Sequence, residues 1–263
     1  MRLLPLIISL CLALPAMAQD SDLGALQTRD ASKGWEGVGR LDMIGKGFCT
    51  AALIEPRLIL TAAHCLFDRD GVQLSPDRFA FEAGLRDGRA AASRGISRLL
   101  PHPDYVHLGP STDTSEVMND IAILELDQPI RNGRITPYPI ASHPQNGDQI
   151  GVVSYGADRA NTPSLQEVCN VISKQDGILV MSCNVAFGSS GAPVFQLSNG
   201  QVEIVSVVSA MAMVDGTQVS IGTALEAPLA TLRNLFDSQS TGGARTIITN
   251  GQRSDGGAKF VKP

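Results

Sequence analysis

Short β-type runs, separated by turn-forming Gly, Pro, Asn and Asp, recur along the chain from Val38 onward. Many short strands at near-regular spacing are typical of an all-β sandwich or barrel. The runs span 51–54, 58–61, 79–82, 121–126, 149–154, 177–182, 194–197 and 202–208. Helical spacing of apolar residues is convincing mainly over 227–236, near the end of the chain. The proline-rich stretch 134–145 suits a linker between two β units.

The first residues of the chain have the layout of a secretory signal peptide. A basic start at Arg2 precedes an apolar run over 3–14, and a small-x-small cleavage site ends at Ala18. Cleavage there removes Cys11 from the five cysteines and makes the net charge of −5 one unit more negative. An even set of cysteines in an oxidising compartment predicts two disulfides. We therefore expect an exported protein, either secreted or periplasmic.

The composition argues against several classes of partner. A sequence pI of about 5.3 and 5% aromatic residues disfavour a nucleic-acid-binding surface, which would be basic. The most apolar late segment, 202–214, is shorter than the roughly 20 residues that span a bilayer. His102 and His107 match no strong zinc spacing. We expect no metal, no cofactor, no nucleic acid and no membrane contact after signal removal, and we expect a monomer.

Three segments each contribute a residue type used in nucleophilic catalysis. His64 stands in LTAAHC, Asp120 in NDIAILEL and Ser190 in GSSGAPVF. A serine hydroxyl is a poor nucleophile near neutral pH, so a base must accept its proton as it attacks a carbonyl carbon. Imidazole suits that role, and a carboxylate on its other nitrogen fixes the tautomer. The glycine-rich turn is expected to offer the N–H groups of Gly188 and Ser190 to the resulting oxyanion.

The order of these residues along the chain separates the folds that host this chemistry. Each motif alone is common in ordinary loops, but together they read His64, Asp120, Ser190. An α/β-hydrolase has its histidine after the serine and a glycine two residues past it; here no histidine follows His143, and Ala192 replaces that glycine. A subtilisin-like enzyme has its aspartate before its histidine. Both alternatives fail.

These motifs make the chain resemble the chymotrypsin-fold, or trypsin-like, serine proteases. The matching segments are GFCTAALIEPRLILTAAHC (47–65), LLPHPDY (99–105), NDIAILEL (119–126), GSSGAPVF (188–195) and VEIVS (202–206). The resemblance implies an all-β fold of two six-stranded antiparallel barrels, with a catalytic cleft between them and a C-terminal helix. It also implies hydrolysis of protein or peptide substrates through an acyl-enzyme, with His64, Asp120 and Ser190 as the triad.

The residue patterns and the resemblance together divide the chain, and the resemblance implies the disulfide pairs. We expect a signal peptide over 1–18, a lead-in or pro-segment over 19–36, the first barrel over 37–133, a linker over 134–146, the second barrel over 147–225, a helix over 226–237 and a polar, flexible tail over 238–263. The family disulfide that pins the histidine loop corresponds to Cys49–Cys65, which leaves Cys169 and Cys183 to pair. A bridge of that span contributes on the order of 3 kcal/mol.

The nucleophile turn departs from the digestive and clotting enzymes of this family. Ser189 precedes Ser190, where those enzymes have an aspartate that binds the N-terminus released on activation. No Ile-Val-Gly-Gly-type segment follows a plausible cleavage site. We therefore predict that the protein does not mature through an ammonium–aspartate pair. In this respect it is similar to the bacterial glutamyl-endopeptidase-like branch.

The primary specificity pocket is also inferred from the resemblance. The predicted pocket residues are Asn184, Ser206, Val208 and Ser220. Val208 falls where the family usually has a glycine, which would narrow the entrance. The pocket has no aspartate at its bottom, the residue that binds Arg or Lys in trypsin-like enzymes. It also has Val205 where the glutamate-specific branch has a histidine. We predict a small or modest uncharged side chain before the cleaved bond.

Two other functions stay open at this stage. A protease-like protein can bind partners without cleaving them, although such proteins usually lose a triad residue and this chain retains all three. An esterase could use the same barrels and the same serine chemistry. Labelling with a serine-directed probe and peptide profiling distinguish these functions from an endopeptidase.

Overall fold

Antiparallel pairing joins the strands of the protein. The computed structural model describes residues 20–107, 114–141, 144–198 and 200–242, so the expected signal peptide, His143 and 243–263 of the expected tail lie outside the described residues. The strands are β1 Gly24–Ala25, β2 Val38–Met43, β3 Gly47–Glu55, β4 Leu58–Thr61, β5 Phe79–Ala83, β6 Ala92–Pro101, β7 Ala122–Leu126, β8 Gln149–Ser154, β9 Ser164–Gln175, β10 Ile178–Met181, β11 Pro193–Ser198, β12 Gln201–Val214 and β13 Thr217–Ala224. The helices are α1 Thr114–Met118 and α2 Glu226–Gly242, and 3₁₀ turns occupy Ala63–Leu66 and Pro76–Arg78.

The first barrel closes in the strand order β2-β3-β4-β7-β6-β5. Its strands alternate side chains between interior and surface, as in β5, where Phe79, Phe81 and Ala83 are buried and the residues between them are half-buried. Such alternation is what an antiparallel strand with one solvated face requires. β4 is buried along its whole length and leads directly into the turn that carries His64.

The second barrel is built from the other strands. They form a sheet in the order β1-β9-β10-β13-β12-β11-β8, and β8 also pairs with β9, so six strands close on themselves. A separate cluster of buried side chains, centred on residues such as Leu179 and Val194, fills this barrel. The expected pair of six-stranded barrels is confirmed. β1 pairs with β9 from outside the barrel, so residues 24–25 of the expected lead-in form a strand.

Contacts between the barrels fix the segment that contains Ser190. The Thr50 N–H in β3 donates to Ser190 O at 2.8 Å. Phe195, near the start of β11, places its ring centroid 5.1 Å from that of Trp35 and 4.8 Å from that of Tyr138. Aromatic pairs at these separations stabilise an interface beyond the area they bury. The turn is therefore held against β3, and β11 packs on the segments that precede and follow the first barrel.

Each barrel contains one disulfide. The two disulfides join Cys49 to Cys65 and Cys169 to Cys183, the pairs that the family resemblance implies. The first connects β3 to the 3₁₀ turn that carries His64. Cross-links of this kind limit the freedom of the unfolded chain, and this one also restricts how far the histidine turn can move from β3.

The C-terminal helix begins at the predicted residue but is longer than predicted. α2 runs from Glu226 to Gly242, past the predicted end at 237. Leu229 and Leu232 are buried in the core cluster that contains the first barrel. The residues after 237 are polar and show no apolar spacing, so the sequence pattern does not predict this extension. No helix among the described residues is long and apolar enough to cross a membrane.

Candidate active site

The fold brings His64, Asp120 and the turn of Ser190 to the junction of the barrels. His64 follows β4 and Asp120 lies two residues before the start of β7, and these two strands are paired antiparallel. The end of β4 therefore lies beside the start of β7, which joins His64 and Asp120 across 56 sequence positions. Ser190 arrives from the second barrel, in the turn before β11.

His64 and Asp120 are connected by two hydrogen bonds. Asp120 Oδ2 lies 2.7 Å from His64 Nδ1, and Asp120 Oδ1 accepts the His64 backbone N–H at 2.8 Å. Asp120 is only 2% exposed, so its charge needs donors from the protein. Ser209 on β12 supplies another by donating its hydroxyl to Asp120 Oδ2. These partners assign the imidazole proton to Nδ1, which leaves Nε2 of the neutral ring as a proton acceptor.

The pKa of His64 is raised above its usual value of 6.5. Burial alone would lower this pKa, but the charge of Asp120 and the hydrogen bond to it stabilise the imidazolium more strongly. Glu116 on α1 acts in the same direction, and the ammonium of Lys46 opposes it. The Asp120–His64 pair therefore favours the protonated, positively charged form of His64.

All backbone carbonyls of the turn 186–190 are engaged. Ala186 O accepts from Ser189 N, Phe187 O from Ala157 N, Gly188 O from Thr50 Oγ1, Ser189 O from Ala192 N, and Ser190 O from Thr50 N. By contrast, the N–H groups of Gly188 and Ser190 donate to no acceptor within the described ranges. Because the C=O and N–H of a trans peptide point in opposite directions, the fixed carbonyls also fix the direction of these two donors.

Glycine is required at two positions of this turn. Gly188 has a φ of +95°, and the ring of Phe48 occupies the space that a Cβ would need. Gly191 has a φ of +76°, and Thr61 Oγ1 and Thr50 O occupy its Cβ position. Glycine adopts positive φ without the steric cost that other residues incur. The first barrel therefore packs directly on the backbone of the GSSG motif.

The hydrogen bond between Ser190 and His64 is not formed in this structure. Ser190 Oγ donates to no acceptor among the side chains and backbone that the structure describes, and His64 Nε2 lies 3.8 Å from Cys65 Sγ. Catalytic hydrogen bonds are often long without substrate and tighten when it binds. The structure thus packs the serine turn against Thr61, at the end of the strand that leads to His64, and leaves the serine hydroxyl unengaged.

Comparison with known proteins agrees with this geometry. A family model described as Trypsin matches residues 27–226. The chain belongs to the trypsin family.

Curated relatives of this trypsin-family chain are longer proteases. Mannan-binding lectin serine protease 1 of Homo sapiens is 29% identical over 171 residues, which cover 58% of this chain and 23% of that protein. The peroxisomal leader peptide-processing protease of Mus musculus is 28% identical over 221 residues, which cover 79% of this chain and 33% of that protein. The chain therefore spans a third or less of the length of either relative.

A solved structure shows the same architecture. The structure of a Glu endopeptidase in complex with MPD superimposes with a TM-score of 0.68 at 19% sequence identity, and the match covers 83% of this chain and 98% of that chain. At this level of identity the likeness establishes the chymotrypsin-like fold.

Three residues near this trypsin-family site escaped the sequence analysis. Ser209 contacts Asp120 from 89 positions away, and Thr223 Oγ1 lies 3.4 Å from the Asp120 carbonyl from 103 positions away. The guanidinium of Arg159 contacts Ser189. All three belong to the second barrel or its loops, and no local motif marks them. The pairing of the strands brings Ser209 and Thr223 to the site, and the loop between β8 and β9 brings Arg159.

The four predicted pocket residues differ in their exposure. Asn184 is exposed, and its backbone N–H donates to Gln166 Oε1 at 2.7 Å. Ser206, Val208 and Ser220 are almost fully buried. The Ser206 hydroxyl donates to a backbone carbonyl of β13. The preference of the pocket for a small or modest uncharged substrate side chain stays a prediction.

Within the part of the chain that the structure describes, one group of metal-binding residue types includes His64. Cys49, His64 and Cys65 hold donor atoms within 4.8 Å of one another. Both sulfurs belong to a disulfide, so neither is a thiolate that could bind a metal. This group is part of the disulfide framework. In the other loop considered from the sequence, His102 Nδ1 accepts the Asp104 N–H at 3.2 Å, which is a turn contact.

Proposed function

We propose that the chain is an exported serine endopeptidase that cleaves protein or peptide substrates through an acyl-enzyme. The observation that carries this proposal is the hydrogen-bonded pair of half-buried His64 and buried Asp120, together with a turn whose Gly188 and Ser190 N–H groups are free to donate. Membership of the trypsin family supports peptide-bond hydrolysis. Ser190 is the nucleophile, His64 the base and Asp120 the group that orients it.

In acylation, His64 Nε2 takes the proton of the Ser190 hydroxyl as Oγ forms a bond to the substrate carbonyl carbon. The carbonyl oxygen becomes an oxyanion, which the N–H groups of Gly188 and Ser190 stabilise. Collapse of this intermediate breaks the C–N bond, and the imidazolium gives its proton to the leaving amine. Asp120 stabilises the imidazolium between the two proton transfers.

Deacylation repeats these steps with water as the nucleophile. His64 takes a proton from water, the oxygen of which attacks the acyl carbon, and the same N–H groups stabilise the second oxyanion. The proton then returns to Ser190 Oγ as the ester bond breaks. Each residue ends the cycle in its starting state.

Two features support export and one supports the substrate preference. The segment 1–18, outside the described residues, has the pattern of a signal peptide. The two disulfides suit an oxidising compartment, either the periplasm or the extracellular medium. The uncharged pocket residues favour cleavage after a small or modest uncharged side chain.

The test combines covalent labelling with substrate profiling. A fluorophosphonate probe should label the mature protein, and peptide mapping by mass spectrometry should place the adduct on Ser190. A peptide library should then be cut after uncharged residues. Absence of both labelling and cleavage would indicate a binding module, and cleavage of esters alone would indicate an esterase. Strict cleavage after Arg, Lys or Glu would refute the pocket prediction only.

The pH dependence of activity should follow the raised pKa of His64. The base acts only when neutral, so kcat/KM should fall as the pH drops through this pKa and the imidazole becomes protonated. The acidic limb should therefore have its midpoint above about 6.5, the usual histidine value. A pH profile of kcat/KM measures it. A midpoint at or below that value would contradict the stabilising role of Asp120.

A further inference from the structure

A buried serine precedes the proposed nucleophile. Ser189 is fully buried, and its hydroxyl lies 3.0 Å from Tyr155 O and 3.2 Å from Ser154 Oγ. The Ala186 N–H donates to it at 3.2 Å. Its partners include no residue of the described stretch 20–27, which runs along β9 instead. The position that holds an aspartate in the activated branch of the family thus carries a neutral hydroxyl in a polar cluster.

The guanidinium of Arg159 reaches into this cluster. Its Nη2 lies 3.0 Å from Ser154 Oγ and 3.3 Å from Ser189 Oγ, and its Nη1 pairs with Asp158 Oδ1 at 2.9 Å. The Arg159 side chain is only 12% exposed. Removing a cation from water costs free energy unless hydrogen bonds replace the lost hydration, and charge-assisted hydrogen bonds are the stronger kind. Ser154, Ser189 and Asp158 therefore hold the positive charge of Arg159 next to the residue that precedes the proposed nucleophile.

The loop that carries Arg159 also fixes one peptide of that turn. The Ala157 N–H donates to Phe187 O at 2.7 Å. Phe187 C=O and Gly188 N–H belong to the same trans peptide and point in opposite directions. Holding the carbonyl on the loop 156–160 turns the Gly188 N–H away from the loop. If this peptide rotated, one of the two proposed oxyanion donors would be lost.

We propose that Arg159 is a positioning residue for the oxyanion hole. Its guanidinium anchors the loop 156–160 against Ser189, and the loop holds the Gly188 N–H in its donating orientation. This inference rests on the proposed function. It gives the nucleophile turn a support from within the folded chain, where the neutral Ser189 stands in place of the aspartate.

Gly156 offers an independent way to displace the guanidinium. A Cβ on Gly156 would lie 2.5 Å from Arg159 Nη1, 2.8 Å from Arg159 Cζ and 2.8 Å from Asp158 Oδ1. These atoms are the ends of flexible side chains, so Gly156→Ala moves them without forcing the backbone. Gly156 is not among the residues with positive φ, so its backbone conformation accepts alanine. This variant keeps the arginine but fills the space that its guanidinium occupies.

The kinetic test compares Arg159→Ala and Gly156→Ala with the wild-type protein. The matched control is Arg57→Ala, which removes a guanidinium that donates to the Asp127 carbonyl in the first barrel. Loss of one oxyanion donor costs about 10²–10³ in kcat, so partial misplacement should lower kcat about 10- to 100-fold in both variants. KM should change by less than about threefold, because the donor acts mainly in the transition state. Methylguanidinium should restore part of the activity of Arg159→Ala.

Hydrogen exchange gives a readout that needs no catalysis. The Ala157 amide should exchange faster in Arg159→Ala and Gly156→Ala than in the wild-type protein, and Arg57→Ala should leave it unchanged. Unchanged exchange in both variants, unchanged kcat in both, or a rise in KM alone would overturn the proposal. If Arg159→Ala fails to fold, Gly156→Ala decides the question.

The same pair of measurements separates this proposal from the proposed function. If the wild-type protein neither labels with fluorophosphonate nor cleaves peptides, the proposed endopeptidase function fails. The exchange of the Ala157 amide then still decides whether Arg159 holds the loop. If the wild-type protein is active and both folded variants are equally active, the endopeptidase function stands and the role of Arg159 is refuted.

Discussion

Replacing Ser190 with alanine is expected to lower kcat for a peptide substrate by a factor on the order of 10⁶. The substitution removes the oxygen that forms the acyl-enzyme, and neither His64 nor the oxyanion donors can replace it. The fold should be unaffected, because the Ser190 hydroxyl donates to no acceptor in the described part of the chain. Stability should therefore stay within about 0.5 kcal/mol of the wild-type value.

Kinetics, fluorophosphonate labelling and thermal unfolding measured together test this expectation. Ser93→Ala is the matched control, since it removes an exposed hydroxyl that donates to Glu82 Oε1 on the surface of the first barrel. The control should label and cleave like the wild-type protein, and Ser190→Ala should do neither. Residual kcat above about one per cent of wild type would show that Ser190 is not the nucleophile, since removing an essential nucleophile costs far more.

The strands that were visible in the sequence are those with continuous apolar runs. β4 and β7 are such strands, since their residues are almost all buried. β9 has no such run, because two of its buried residues, Ser164 and Gln166, are polar and its other face is partly exposed. β6 has serine, glycine and arginine around its two buried residues, Ile96 and Leu100, and two of the buried positions of β13 are Ser220 and Gly222. A barrel was predictable from part of its strands, but its closing strands were not.

The candidate site shows a similar division between local and long-range information. His64, Asp120 and Ser190 stand in recognisable motifs, so their types and order predicted one site. Ser209 has no motif, because its contact with Asp120 depends on the register of β12 in the other barrel. Register is set by the packing of a whole sheet, which no short segment contains. The triad residues were thus predictable from local motifs, whereas Ser209, which donates a hydrogen bond to one of them, was not.

Asp120→Asn is expected to lower kcat about 10⁴-fold while leaving the fold intact. The Asp120 carboxylate accepts from the His64 backbone N–H, from His64 Nδ1 and from the Ser209 hydroxyl. An asparagine has one acceptor oxygen and an NH₂ group, so its two side-chain atoms cannot both accept a hydrogen bond, one from the His64 backbone N–H and the other from Nδ1–H. If its NH₂ faces Nδ1, the imidazole must carry its proton on Nε2. The base then has no free lone pair for the proton of Ser190.

The pH profile separates this cause from simple misfolding. Without the Asp120 charge, the pKa of His64 loses its main stabilising partner, so the acidic limb of kcat/KM should move to lower pH. Ser209→Ala is the matched control: it removes one donor but keeps the carboxylate, and its kcat should fall by no more than about tenfold. A folded Asp120→Asn enzyme with less than a tenfold loss would mean that the carboxylate does not set the tautomer. Because a tautomer change acts on every proton transfer to His64, the same variant should lose ester hydrolysis together with peptide hydrolysis.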